Sequence, residues 1–343
     1  MGRPRVLVLC GGRSEEHEVS LSSARSVISA SAGWLDVTPL VIDKAGRLLD
    51  GPDSLRALEN GAAPPGSGTL ELSQLTRQPA GAFDVVFPIL HGPNGEDGAI
   101  QGLLRLAGLP FVGTDILGSA VAMDKVMMKT VLGAHGFDQV AWQALSRSSW
   151  AADPEAALDS LELPFPVFVK PANLGSSVGI SRAGDRESLR SALSLAFSLD
   201  RRVIIEQGLS TPRELEVGVL GNDDPLVSVV GEVTFASAFY DYETKYGEGM
   251  AEMSIPAGIP DSVARACRSM SARVFTALDL AGLARVDFFL ERESGRLLLN
   301  EVNTIPGFTV TSMYPRLWEA SGVDYPALVV RLVELALERA AQP

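Results

Sequence analysis

Cysteine is nearly absent from this chain of 343 residues: Cys10 and Cys267 are the only two. That excludes a disulfide framework and fits a reducing compartment. Histidine is as scarce. His17, His91 and His135 are the whole set, and no two stand at helical zinc-ligand spacing, so a His-rich zinc site is not expected. Basic residues are outnumbered, with 29 Lys and Arg against 42 Asp and Glu and a net charge of -13. Such a chain carries no footprint for general nucleic-acid binding. No apolar run approaches the ~18 residues of a membrane span. The run Val6–Cys10 is too short for the core of a secretion signal. No Gly-Lys dipeptide occurs, which removes a Walker A loop, and the glycines at 11 and 12 do not follow the dinucleotide-binding fingerprint. The expectation is a cytoplasmic protein with no membrane or nucleic-acid partner. Its composition is ordinary for a globular chain, at 46% hydrophobic and 21% charged. Its length suggests two or three domains.

What is present alternates between buried strands, functional-looking loops and helices. Residues 5–10 read as a buried strand breaking at Gly11-Gly12. A helix over 21–33 and an apolar segment at 35–42 follow, and 59–82 reads as an irregular Gly/Pro-rich connection. A second buried strand at 83–90 runs into HGPNGEDG, and 99–107 is helical. This order predicts an open α/β sheet with function at the strand ends. Beyond residue 114 come a helix over 118–134, a strand at 166–170, the loop PANLGSSVG at 171–179, a helix at 185–198 and a strand at 202–207. Then come strands at 214–220 and 226–233, a polar aromatic loop at 236–253, a helix at 261–280, a strand pair over 284–303 and a helix at 325–341.

Six constellations would bear chemistry. In a strand, residues two apart share a face. Arg285 and Asp287 do so, as do Glu301 and Asn303, and a hairpin centred on Ser294 sets Asp287 opposite Glu301 and Arg285 opposite Asn303. Two carboxylates and an amide oxygen suit hard Mg²⁺, whereas a solvated hairpin face with a salt bridge needs the same residues. Gly175-Ser176-Ser177-Val178-Gly179 after Lys170 is either a phosphate cradle or a plain connector. Glu15-Glu16-His17-Glu18 would hold a cation or complement a helix dipole. His91 opens a polar loop after a buried strand, a usual ligand location, although a lone histidine is more often structural. The segment 239–246 is either a lid that excludes water or a self-packed surface loop. Residues 306–312 would bind an oxyanion or carboxylate, or simply turn the chain.

Taken in order, these segments resemble the D-alanine–D-alanine ligases of the ATP-grasp superfamily across essentially the whole chain. The matching motifs are GGRSEEHEVS at 11–20, HGPNGEDG at 91–98, MDK at 123–125 and VKPANLGSSVG at 169–179. FYDYETKY at 239–246, RVDFF at 285–289 and NEVNTIPGFTVTS at 300–312 complete the set. The resemblance implies an α/β (α+β) chain of three domains. These are an N-terminal open parallel sheet at 1–113, a central domain at 114–206 and a C-terminal domain at 207–343 with a lid loop at 236–253. ATP would lie between the last two. It implies two Mg²⁺ ions, with Mn²⁺ as a substitute, held by Asp287, Glu301 and Asn303. Lys125, Lys170, Ser177 and, from the lid, Lys245 would meet the phosphates of ATP, with Glu206 near the adenine and Glu214 near the ribose. Glu15 would pair with the ammonium of the first D-alanine beside His91, with Ser176 and Tyr246 bonded to Glu15. Arg285 and the Gly307 amide would stabilise the tetrahedral oxyanion. Ser312 and the Met313 amide would take the carboxylate of the second D-alanine. A homodimer is implied as well. Tyr246 favours an amine acceptor over D-lactate. The alternatives are a D-alanine–D-lactate or D-alanine–D-serine ligase and, more remotely, a non-catalytic nucleotide-binding protein.

Overall fold

The apolar run after Pro4 forms β1 (Arg5–Gly11), and its alternation serves two cores. Val6, Val8 and Cys10 pack with the helix His17–Ala30 and the C-terminal helix Tyr325–Ala340. Leu7 and Leu9 pack on the other side with Ile100, Leu104 and Phe111. A strand buried on both faces reads as continuous apolar sequence for this reason. The structure is a computed structural model and describes residues 2–64, 67, 71–77, 81–235 and 251–342. β2 (Asp36–Ile42) and β3 (Val85–Ile89) flank β1 in parallel, in the order β2-β1-β3. Where β1 ends, Gly11 takes φ +88°, and a Cβ there would meet the Ile42 carbonyl oxygen at 2.2 Å. Only glycine fits that close backbone approach.

A second sheet is antiparallel. It runs β4-β7-β5-β6, from β4 (Trp142–Ser146), β5 (Val167–Pro171), β6 (Ser181–Ala183) and β7 (Arg202–Gln207). The helix Arg186–Leu199 covers it with Leu189, Leu193 and Phe197. The third sheet contains β8 (Arg213–Gly221), β9 (Leu226–Phe235), β10 (Ala251–Ser254), β11 (Gly282–Leu290) and β12 (Leu297–Asn303). Its order is β10-β9-β8-β11-β12, antiparallel throughout. The helix Asp261–Ala277 packs on it through Val274 and Phe275. No helix among the described residues is long and apolar enough to cross a membrane.

Several elements differ from the expectation. The helix over 118–134 is two helices, Ile116–Met123 and Lys125–Ala134. Asp124 between them is extended, and its carboxylate accepts from the Val126 and Met127 amides at 3.1 Å each. A capping carboxylate thus interrupts an apolar pattern that would otherwise run on. The first helix starts at His17 rather than 21, because Ser20, Leu21, Ala24 and Val27 already form its buried stripe. The connection at 59–82 holds the end of a helix, Gly51–Asn60, and a 3-10 turn, Leu72–Arg77. The strand β4 and the helix Met313–Ala320 had no reading in the sequence.

Candidate active site

β11 and β12 pair with Arg285 opposite Asn303 and Asp287 opposite Glu301, in the register expected from the sequence. A bulge after Asp287 shifts the pairing toward the turn and leaves these four residues in step. On the other side of β11, β8 sets Glu216 opposite Asp287. Glu216, Asp287 and Glu301 therefore form a row of carboxylates across three adjacent strands. Arg285 neutralises part of it. Its Nε and Nη2 donate to Asp287 Oδ1 and Oδ2 at 2.7 Å each, and Nε lies 2.9 Å from Glu216 Oε2. Asn303 Nδ2 donates to Asp287 Oδ2 at 2.9 Å. Burial would lower the Arg285 pKa, but Asp287, Glu216 and Glu301 outweigh it and raise it well above the ordinary value.

The lysines meet this row from the second sheet. Lys125 opens the helix that Asp124 caps, and its Nζ donates to the Leu174 carbonyl at 2.6 Å. Asp124 is itself paired with Arg202. Lys170 on β5 places Nζ 2.6 Å from Glu206 Oε2. The other oxygen, Oε1, lies 2.8 Å from Lys129 Nζ. Burial opposes the charge on Glu206, yet the two ammoniums bring its carboxyl from 4.5 down to about 2. Burial also lowers Lys125, against the pull of Glu301. In Lys170 burial is outweighed by Glu206, Glu301 and Glu214, and the pKa rises. Glu301 thus stands between the lysines and the Arg285 cluster. Both Glu206 oxygens face lysines, so its carboxylate serves as their shared counterion.

The loop after β5 is tied down by Asp200, which accepts from the Asn173 amide and side chain at 2.8 and 3.0 Å. Ser176 and Ser177 follow at φ +49° and +61°, two successive left-handed residues. Positive φ in two consecutive non-glycine residues is a costly backbone that clusters at ligand clamps. The Ser176 hydroxyl donates to Glu16. This corrects the expectation for Glu15: Glu16 faces the cavity and Ser176, whereas Glu15 is exposed on the outer side of the turn. His91 is buried and lines the cavity, but its ring nitrogens contact the Ile305 carbonyl at 3.0 Å and the Ser23 hydroxyl at 3.2 Å. Ser312 precedes the helix Met313–Ala320 without capping it. Its Oγ accepts from the Thr309 amide at 3.1 Å. Gly307, Ser312 and Met313 line the cavity, whose volume is about 160 Å³. Lys245 and Tyr246 lie outside the described residues.

Three residues of the site carried no individual assignment from the sequence. Glu16 beside Glu15 carries no signal to separate the two. Lys129, four residues after Lys125, carries no signal of its own in the sequence and is 2% exposed. Glu216 was visible only as the partner of Glu214 in alternating ELEVGVL. For a metal, the donors are oxygens, two of them charged, which fits a hard divalent cation that completes its shell with phosphate. Among the described residues, no three His, Cys, Asp or Glu side chains are arranged to hold a metal. Asp287, Glu301 and the Asn303 oxygen would hold it.

One cavity thus takes Glu16 and His91 from the first unit, Ser176 from the second and Arg285, Gly307 and Ser312 from the third. Two antiparallel sheets meeting over buried lysines and a carboxylate row, beside a parallel-sheet unit, define an ATP-grasp ligase. The family model for the D-ala D-ala ligase N-terminus matches residues 5–114, and that for the C-terminus matches 131–334. A D-alanine–D-alanine ligase of Deinococcus radiodurans is 59% identical over 337 residues, covering 97% of this chain and 98% of the relative. The solved D-alanine-D-alanine ligase from Coxiella burnetii superposes with a TM-score of 0.81 at 34% identity, covering 99% of this chain and 95% of that one. The VanG D-Ala:D-Ser ligase from Enterococcus faecalis gives 0.85 at 32%, covering 98% and 100%. The chain belongs to the D-alanine–D-alanine ligase family, which is ATP-dependent and uses a divalent metal.

Proposed function

We propose that this enzyme joins two D-alanines into D-alanyl-D-alanine for peptidoglycan precursors, in the cytoplasm and as a homodimer. The γ-phosphoryl group of ATP passes to a carboxylate oxygen of the first D-alanine, releasing ADP. The amine of the second D-alanine then attacks the acyl carbon, and phosphate leaves. The observation that carries this reading is the single cavity where the phosphate loop, Arg285 and the Gly307–Met313 turn converge.

Lys125, Lys170 and Ser177 hold phosphates, Glu206 lies near the adenine and pairs with Lys170, and Glu214 faces the ribose. Lys245 and Tyr246 act from the lid. Asp287, Glu301 and Asn303 hold two Mg²⁺ ions, with Mn²⁺ as a substitute; when bound, such ions neutralise phosphate charge. Arg285 and the Gly307 amide face the oxyanion. The Ser312 hydroxyl and the Met313 amide, at a helix N-terminus, receive the second carboxylate. A net charge of -13 supports the absence of a nucleic-acid partner.

The deciding experiment is phosphate release with ATP, Mg²⁺ and D-alanine, with the product identified by mass. D-alanyl-D-alanine is expected. Turnover only when D-lactate or D-serine is added would overturn the acceptor assignment, and no turnover with any of them would overturn the reaction.

The first-substrate contact is assigned to Glu16 in place of Glu15. Losing a charge-assisted contact costs about 1.5–3 kcal/mol, roughly tenfold or more in binding. Glu16→Gln is therefore expected to raise the KM of the first D-alanine at least about tenfold, and Glu15→Gln to leave it within about twofold. Initial rates over a D-alanine series separate the two, and the reverse ranking would restore Glu15.

A further inference from the structure

Residues 304–308 follow β12 with no strand or helix of their own, yet Thr304, Ile305, Pro306 and Phe308 are buried. Buried backbone groups outside a ladder need other partners. Here the partners come from the N-terminal unit, more than 200 residues away. The Ile305 amide donates to Glu96 Oε1 at 3.1 Å. The Ile305 carbonyl lies 3.0 Å from His91 Nδ1. A carbonyl can only accept, so Nδ1 carries the proton, and in the neutral ring Nε2 accepts from the Ser23 hydroxyl at 3.2 Å. The Phe308 amide in turn points at Ser23 Oγ at 3.4 Å. Both groups of Ile305 and the amide of Phe308 are thus held from outside, and Gly307 lies between them.

Glu96 is built for this place. Its second oxygen accepts from the Gly92 amide at 2.6 Å, so one carboxylate ties two loops together. The turn that carries it needs Gly95, where a Cβ would meet the Leu90 carbonyl oxygen at 1.9 Å. Two N–H donors converging on one side chain require an acceptor-only group. A glutamine would keep one acceptor and turn its amide hydrogens on the other donor.

We propose that Glu96 is a positioning residue for acyl transfer: with His91 it clamps the Ile305 peptide and so fixes the Gly307 amide beside the cavity. This rests on the reading of Gly307 as an oxyanion donor. A misplacement of about 1 Å at such a donor costs about 10²-fold in rate. The carboxylate meets the Ile305 amide of the acyl-transfer loop, while the phosphate lysines are held by Glu206 and the Leu174 carbonyl. Loosening the clamp therefore falls on kcat and spares ATP.

The test is Glu96→Gln in the full chain, read two ways. Amide hydrogen exchange is expected to speed up at Ile305 and Phe308 by about tenfold or more and to stay unchanged in β11 and in the loop at 173–179. Dipeptide formation is expected to fall about 10²-fold in kcat, with the KM for ATP within about twofold. Ser23→Ala, which removes only the hydroxyl between Phe308 and His91, should move both readouts the same way by less. Unchanged exchange at Ile305, or faster exchange with unchanged kcat, overturns the proposal. A parallel rise in the KM for ATP marks general damage and overturns it too. A wild-type protein that forms no dipeptide would sink the proposed reaction instead, and the exchange arm would still decide the clamp.

Discussion

Asp287→Asn is expected to lower dipeptide formation by about 10³-fold or more, some 4 kcal/mol of transition-state stabilisation, while the fold persists. The carboxylate sits in the middle of the row formed with Glu216 and Glu301 and accepts from Nε and Nη2 of Arg285. An amide in its place loses the charge that a hard divalent cation requires of its ligands. It also loses one of the two acceptors that orient the guanidinium. Arg285 remains paired, because Glu216 lies 2.9 Å from its Nε. The loss therefore falls on turnover rather than on folding. Initial rates of phosphate release over a range of Mg²⁺ concentrations check this. A rate within about tenfold of the wild type at saturating Mg²⁺ would remove Asp287 from the metal and phosphoryl-transfer machinery.

The register of that hairpin was legible because its signal is local. Polar residues two apart on each strand and a turn-like RESGR between them leave one pairing that brings all four to one face. The bulge after Asp287 was not legible, but it lies on the turn side and disturbs only residues beyond the site. β1 and β3 were equally plain, since strands buried on both faces are written as apolar runs. Where the outcome depends on contacts far along the chain, the sequence is silent. Glu15 and Glu16 are adjacent and identical in chemistry, and only Ser176, 160 residues on, marks which of them faces inward. The break at Asp124 leaves the apolar pattern intact, so 118–134 reads as one helix although the carboxylate caps the second half. Lys129 and Glu206 carry no sign of each other until the helix Lys125–Ala134 packs on β7 and buries both. The fold was thus readable where burial is periodic. The site was readable where its residues lie on neighbouring strands and unreadable where they meet only through packing of segments far apart in the chain.

The buried triad of Lys129, Glu206 and Lys170 gives the largest stability effect expected in the chain. Its side chains are 1%, 4% and 12% exposed. Two ammoniums sharing one carboxylate leave a net charge of one unit in a poorly solvated place, against two without it. Glu206→Gln strands both, and removing one partner of a buried ion pair costs about 3–5 kcal/mol. Depression of the carboxyl pKa from 4.5 to about 2 corresponds to a similar stabilisation, about 3 kcal/mol. The sign of the pH dependence follows from the direction of that shift. A carboxyl held below its unfolded value contributes fully above pH 4.5 and loses its contribution as pH falls toward about 2. The stability gap between wild type and Glu206→Gln should therefore be widest near pH 7 and narrow steadily below 4.5. Lys129→Met is expected to cost much less at pH 7, because Glu206 keeps Lys170 and an apolar side chain of similar length fills the space. Urea unfolding of the three proteins at pH 7 and pH 4 checks the ranking. A Lys129→Met loss as large as that of Glu206→Gln would mean that Lys170 does not serve as the counterion of Glu206, and that the phosphate lysine is held by some other group.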